Sequence, residues 1–370
     1  MNSGSEGALR VGVIDFAKDT RVVPFLVDQM DSLIYHYPCW LSALQDESGQ
    51  PCLMLAAESS DGSLCGVTPL AYTRGLPIDI FKYQTRRRLS SLPRTPFVGP
   101  ISIHPAATRL MLSAAIDRAE TENVHLQIKT ARPLPDGGHE KLVCTEWRPT
   151  YVLALPESTD QLSFGNSRDR HKLKWGVNKA RKLGLSLRLA GTEADLTAWY
   201  SLYLTTMRRN FAPPRSLRFF LSLWRQLGGS SAFKLLLAER ATSSGVTLVA
   251  GSIFLMMGKI CFYAFTGSLT KQLGMHANDL ILWEAIHKAC ADGYRSFDFG
   301  EVPEEHPELV RFKTKWGAVP RPLYRYYFPS SERNANQHAP YRMRNLLTRV
   351  WQNVPLSLTA RAGEWLYSYL

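Results

Sequence analysis

The sequence predicts an α+β protein of two tandem domains, each a mixed, mostly antiparallel sheet flanked by helices, with a C-terminal helical tail. Three observations carry this. A chain of 370 residues exceeds what one hydrophobic core usually serves, so two cores are expected. Apolar residues make up 45% and charged residues 21%, the balance of a folded globule. The order helix, short strands, helix, strand occurs in the first half and recurs in the second, without obvious residue identity between the halves. The expected boundaries are 1–155, 156–330 and a basic amphipathic tail, 331–370.

In the first half, residues 25–44 have helical spacing interrupted near Pro38. Residues 52–57 and 64–72 are short apolar runs joined by Ser60-Asp61-Gly62-Ser63, a turn sequence that predicts a hairpin. A Pro- and Arg-rich loop is expected over 76–100, then an amphipathic helix over 106–121 and a strand over 125–129. In the second half, 164–183 predicts a basic helix with Leu173, Val177 and Ala180 as its apolar stripe. Helices over 196–207 and 216–227 follow, separated by Ala212-Pro213-Pro214, and then strands over 233–239, 248–257 and 259–267. Asn278 is a candidate N-cap for a helix reaching Asp292, with Gly293 placed to end it. A strand over 296–300, a short helix over 308–316 and a last strand over 323–328 complete the pattern. The mixed order implies sheets with helices packed on them.

No run of eighteen apolar residues occurs, so a spanning helix is not expected. The polar start and the short apolar run at 11–16 do not make a secretory signal, and the expectation is a cytoplasmic protein, with the inner membrane surface as a further site. Six cysteines without C-x-x-C spacing argue against a zinc site or a disulfide framework. Scattered histidines give no metal-ligand spacing, so no metal is expected. There is no G-x-S-x-G elbow, H-E-x-x-H pair or phosphate-binding G-x-x-x-x-G-K-[ST] loop, which excludes hydrolases of those designs.

Charge narrows the partners. Lysine and arginine number 44 against 32 acidic residues, a net +12 that favours an anionic partner. Between 161 and 190 eight basic residues face Asp169 alone, so +7 of that excess is local. Arg170, Lys172 and Lys174, flanking Trp175, are the candidates for phosphate contact. In the tail, arginines alternate with Leu346, Leu347, Val350 and Trp351, which suits either a docked helix or a weak membrane-surface contact.

One constellation carries chemistry. Phe297-Asp298-Phe299-Gly300 ends a strand and is followed, after a Pro/Glu loop, by Leu309 to Ala318 with the run R-F-K-T-K-W-G-A. On the strand, Asp298 faces away from Phe297 and Phe299. On the helix, Leu309, Phe312 and Trp316 form an apolar seam, and Lys313 stands about 100° round from Phe312. Asp298 and Lys313 can form an ion pair; alternatively, Lys313 supplies positive charge where an oxyanion develops.

At these residues the sequence resembles the FemAB-like acyltransferases, a branch of the GNAT superfamily. The D-F-G run and R-F-K-x-K-W-G-A-x-P segment are specific; Thr206-Met207-Arg208, Arg218-Phe219-Phe220, Phe262-Tyr263, Ala277-Asn278-Asp279-Leu280 and Tyr35 to Trp40 add to a resemblance spanning about 25–328. Several features are like members associated with exopolysaccharide or exosortase systems. The resemblance implies two GNAT-like domains and transfer of an acetyl or aminoacyl group to an amine or hydroxyl of a sugar or cell-envelope precursor. It implies Lys313 at the acyl-transfer centre, Arg208 on an anionic or lipid-linked acceptor, and a structural role for Asp298.

The donor is acyl-CoA or aminoacyl-tRNA. Acetyl-CoA enzymes of the superfamily bind pyrophosphate at a helix start through Q/R-x-x-G-x-G/A. The corresponding run here is Lys271-Gln272-Leu273-Gly274-Met275-His276, leading into Asn278, so Gly274, His276 and Asn278 are the candidate contacts although His276 stands where Gly or Ala belongs. Aminoacyl-tRNA suits the basic helix, which offers phosphate contacts without sequence reading. Asp298, Glu301 and His276 are candidate bases, and Tyr263 can donate to a leaving thiolate. Two other classes fit parts of the pattern: a nucleic-acid-binding protein using 168–188, without a helix-turn-helix, RNP or zinc signature, and a noncatalytic adaptor with the same fold.

Overall fold

The computed structural model describes residues 9–75, 87–137, 140–243, 245–303, 306–329, 351–367 and 369. Two compact units divide the chain, the first comprising the described residues up to Trp147 with 322–329 and the last few residues, the second 148–321 with 351–365.

The first unit is built from β1 (Arg10–Ile14), α1 (Val22–Val27), α2 (Pro38–Ser48), β2 (Cys52–Glu58), β3 (Leu64–Thr73), β4 (Arg88–Ser90), β5 (Ile101–Ser102), α3 (Pro105–Thr121) and β6 (His125–Thr130). The expected hairpin is there: β2 and β3 pair antiparallel, and the Asp61 carboxylate closes the turn by accepting from the Ser63 amide at 2.9 Å. Pro38 does not interrupt a helix. It opens α2 at the first helical position, where its missing N–H is not needed. The strand order is β1-β2-β3-β4-β6, with β5 also on β3, and β6 takes the end of the last strand, β13 (Val319–Phe328), through Tyr324–Phe328. Among the described residues, β4 and β6 run parallel, whereas β1–β2, β2–β3, β3–β4, β3–β5 and β6–β13 are antiparallel. Leu55, Leu70, Leu89, Met111, Ile116 and Leu126 fill the core between this sheet and α3.

The second unit repeats the scheme. It holds β7 (Val143–Ala154) from Arg148 onward, α4 (Ser167–Lys182), β8 (Leu185–Leu189), α5 (Glu193–Arg209), α6 (Leu217–Leu227), β9 (Phe233–Thr242), β10 (Gly245–Met257), β11 (Ile260–Ser268), α7 (Ala277–Ala291), β12 (Ser296–Glu301), α8 (Pro307–Lys315) and α9 (Leu356–Tyr367) as far as Trp365. The strand order is β7-β12-β11-β10-β9-β8; among the described residues β11 and β12 are the parallel pair, joined by the crossover helix α7. The α+β prediction with a mixed, mostly antiparallel sheet in each half therefore holds.

Strands β7 and β8 were not expected. Alternation is weak in β7, and β8 is a short edge strand whose surface is largely exposed. Leu173, Val177 and Ala180 are buried, as the stripe on α4 predicts. Of the α8 seam, Trp316 is buried while Leu309 is 42% exposed.

Within the second unit, the tail from Trp351 packs against the end of α5. Arg208 Nη1 donates to the Val354 carbonyl at 2.9 Å, Gln352 donates to the Arg209 carbonyl at 3.1 Å, and Phe211 meets Trp351 edge-on. The arginines at 333, 342, 344 and 349, with Leu346, Leu347 and Val350, lie outside the described residues, as do residues 76–86 of the loop expected over 76–100 and the acidic pair 304–305. Among the described residues no helix is long and apolar enough to cross a membrane.

Candidate active site

The site follows from how β11 and β12 separate. Their parallel register covers Ile260↔Ser296 to Phe262↔Asp298, yet β11 runs on to Ser268 and β12 to Glu301. Two features drive the strands apart. Opposite β10, Ile253 pairs with Phe265 and Phe254 with Tyr263, so Ala264 is an extra residue that bends β11. On β12, Gly300 takes φ +80, a left-handed conformation that glycine adopts without steric penalty.

Lys313 exploits that turn. It is 7% exposed, and its ammonium donates to the carbonyls of Gly300 at 2.7 Å and Glu301 at 3.1 Å. Burial pulls its pKa down to about 8, opposed by the negative charge of Asp298 and Glu301. Asp298 is buried and accepts from Thr150 Oγ1 at 2.6 Å and from the Gly300 amide at 2.7 Å. Burial pushes its carboxyl up, partly offset by those bonds and by Lys313. The two side chains make no direct ion pair; each independently fixes the end of β12.

At the far end of β11 the chain passes through a tight turn, Thr270–Met275, and α7 begins behind His276. His276, not Asn278, occupies the N-cap position, with φ 58 and ψ 28. Asn278 falls two residues too late, inside the first turn. A cavity of about 240 Å³ opens there, with Ser268, Gln272, His276, Asn278, Asp279, Phe312 and Lys315 among its walls. His276 Nδ1 lies 2.9 Å from Asp279 Oδ2, and Lys315 Nζ donates to Asp279 Oδ1 at 2.9 Å. Trp175 packs edge-on against the imidazole, ring centroids 5.1 Å apart.

Lys315 also walls a second cavity, about 270 Å³, at the start of α4, with Asn166, Arg168, Asp169, Lys172, Arg311 and Thr314. Four cations face one carboxylate. Arg168, Lys172 and Arg311 have no ion-pair partner among the described residues, so this cup is suited to an anion.

The expected site residues therefore divide. His276 and Asn278 line the first cavity and Lys172 the second. Arg170 is exposed and donates to Ser163 Oγ at 3.1 Å, Lys174 is exposed, and Gly274 has open space around it; none of these lines either cavity. Nor does Arg208, whose guanidinium bonds the tail, or Tyr263, whose ring lies against Phe254 and Phe299. Burial raises the Tyr263 pKa, while hydrogen bonds with Thr266 and Ser252 lower it. Sequence reasoning gave no role to Asp279, Lys315, Arg168 or Arg311. The one available signal was the three-residue step from His276 to Asp279, which puts both on one side of a helix start. Among the described residues no cluster of three or more metal-ligating side chains occurs.

Residues 167–313 match the family model of an acetyltransferase (GNAT) domain. The chain carries a GNAT acyltransferase domain. That domain includes His276, Asp279, Asp298 and Lys313, and the parting parallel strands lie inside it. The fold is similar to that of the crystal structure of FemX, with a TM-score of 0.60 and 14% identity over 86% of this chain and 97% of that one. It is also similar to the C-terminal domain of a putative lysylphosphatidylglycerol synthetase from Agrobacterium fabrum, with a TM-score of 0.55 and 9% identity over 84% and 91% of the two chains. L-PGS from Bacillus licheniformis gives a TM-score of 0.53 and 14% identity over 85% and 92%. No curated protein matches the chain at a significant level. The expected class, a FemAB-like fold bearing a GNAT acyltransferase domain, stands.

Proposed function

We propose that this acyltransferase moves an acetyl or aminoacyl group from acyl-CoA or aminoacyl-tRNA to an amine or hydroxyl of a sugar or cell-envelope precursor, including lipid-linked ones. The observation that carries the reading is the parallel β11–β12 pair that parts after Phe262 and Asp298, with a polar cavity at the outer end of β11. A gap between parted strands exposes unpaired backbone groups to which an extended donor arm can hydrogen-bond.

In this reading Lys313 and Asp298 hold the gap open from the β12 side. Lys313 spends two of its three N–H groups on carbonyls and keeps one for an acyl oxygen. Lys315 is the ammonium that stands in the cavity wall, where positive charge stabilises the oxyanion formed as the carbonyl is attacked. The cup of Arg168, Lys172 and Arg311 takes phosphate groups of donor or acceptor. Between the donors, an aminoacyl ester is favoured. A diphosphate brought to the start of α7 would meet the Asp279 carboxylate, whereas the phosphates of a tRNA can reach the cup.

Thermal shift with acetyl-CoA and with alanyl-tRNA tests this, because a ligand bound only by the native state raises the melting temperature. Stabilisation by alanyl-tRNA that is lost in Lys172→Glu/Arg311→Glu is the expected result. Tight, salt-sensitive binding of duplex DNA with no effect of either donor would replace the reading with nucleic-acid binding.

A further inference from the structure

We propose that His276, held by Asp279, is the general base of the transfer and that the acceptor group it serves is a primary amine. The inference rests on the acyl-transfer reading above and adds to it the catalytic base and the nucleophile.

Three observations converge. The Asp279 carboxylate can only accept, so the 2.9 Å contact places a proton on His276 Nδ1 and leaves the lone pair on Nε2, which no described residue engages. Lys315 holds the other carboxylate oxygen, so the carboxylate has two fixed partners and cannot swing away from the imidazole. The fold makes room for this pair: a Cβ on Gly176 would stand 3.0 Å from both Asp279 Oδ2 and His276 Nδ1. His276 sits at φ 58, a conformation that glycine adopts freely and other residues seldom do. The left-handed backbone makes glycine the substitution that leaves this turn unstrained.

The cavity also selects the acceptor. Gln272 Oε1 and Asn278 Oδ1, side-chain atoms of two cavity-wall residues, are buried without a hydrogen-bond partner. With Nε2 they make three unsatisfied acceptors beside a carboxylate. An amine, rich in N–H donors, satisfies them; an anionic group does not.

The chemistry balances without further reagents. As the amine nitrogen bonds to the acyl carbon of the ester or thioester donor, His276 Nε2 takes its proton. The tetrahedral adduct then collapses, the bond from carbon to the donor oxygen or sulfur breaks, and His276 returns the proton to that leaving group.

His276→Gly tests the proposal, since glycine suits the left-handed backbone and leaves space for free imidazole. With glucosamine, which offers an amine and hydroxyls in one molecule, and acetyl-CoA or alanyl-tRNA as donor, wild-type protein should give the N-acyl product. His276→Gly should keep the parental melting temperature, lose at least about 100-fold in kcat, and recover activity when imidazole is added. Asp279→Asn should lower kcat with little change in KM. Wild-type turnover with an unimpaired or unrescued His276→Gly, or with O-acyl product alone, overturns this proposal and leaves acyl transfer standing. No turnover by wild-type protein with either donor removes the acyl-transfer reading, and this inference with it.

Discussion

Asp279 and Lys315 meet at 2.9 Å, and the pair links the two cavities, because Asp279 walls one and Lys315 walls both. Their side chains are 14% and 23% exposed, so water screens the attraction only in part. A double-mutant cycle with Asp279→Ala and Lys315→Met should therefore give a coupling energy of about 1 kcal/mol or more. Urea melts of the four proteins measure it. A coupling below about 0.3 kcal/mol, at the bottom of what exposed pairs give, would mean that the contact has no energetic weight.

Gly176 sits inside α4, where Ala would ordinarily stabilise the helix by about 1 kcal/mol. Here the added methyl would press on both His276 and Asp279. The propensity gain and the steric loss oppose each other, so Gly176→Ala should change the melting temperature by only a few degrees. Activity should fall about tenfold, because shifting a catalytic group by even a few tenths of an ångström weakens proton transfer. Stability and turnover measured on one preparation separate the two effects; full activity would show that the pair tolerates the push.

The difference between what sequence made legible and what it did not has a physical origin. Periodicity and turn chemistry are local, and they located α3, α4, the β2–β3 hairpin and the order β9 to β12 to within a few residues. The motif around Asp298 and Lys313 marked the right strand and helix. It could not show that the ammonium would turn toward the carbonyls of Gly300 and Glu301, because that depends on the φ of one glycine. Nor could spacing choose between Lys313 and Lys315. They lie about 200° apart on a helix, and which faces a cavity is decided by how α8 packs. Asn278 looked like an N-cap from residue type alone, whereas the helix begins behind His276, whose side chain makes no capping hydrogen bond.

Lys313 should leave a mark on alkaline stability. Its pKa lies near 8 in the fold against 10.5 when free, so between those values the unfolded chain binds more protons than the folded one. Stability then rises with pH across that window. The gain from this group alone approaches about 3 kcal/mol by pH 10.5, at ~1.4 kcal/mol per pKa unit. Lys313→Met lacks the titration. The stability difference between wild type and variant should therefore shift toward wild type by that amount between pH 7.5 and pH 10.5 in denaturant melts. Parallel curves would show that the ammonium is not buried as described.

His36 makes the same demand at lower pH in the first unit. It is buried, its Nδ1 accepts from the Leu33 amide at 2.9 Å, and its Nε2 lies 3.0 Å from the Gly99 carbonyl. Those bonds fit a neutral ring with its proton on Nε2. Burial lowers the pKa to about 4 from 6.5, so the stabilisation is complete above pH 6.5 and is lost as the pH falls through 4. The loss reaches about 3 kcal/mol by pH 4. His36→Asn keeps an acceptor for the Leu33 amide but gives up the reach to Gly99. It should be less stable than wild type at pH 7.5, and the two should converge on acidification because only wild type carries this titration. Urea melts at half-unit steps from pH 7.5 to pH 4 follow the convergence. A constant gap between the curves would place the imidazole in contact with water.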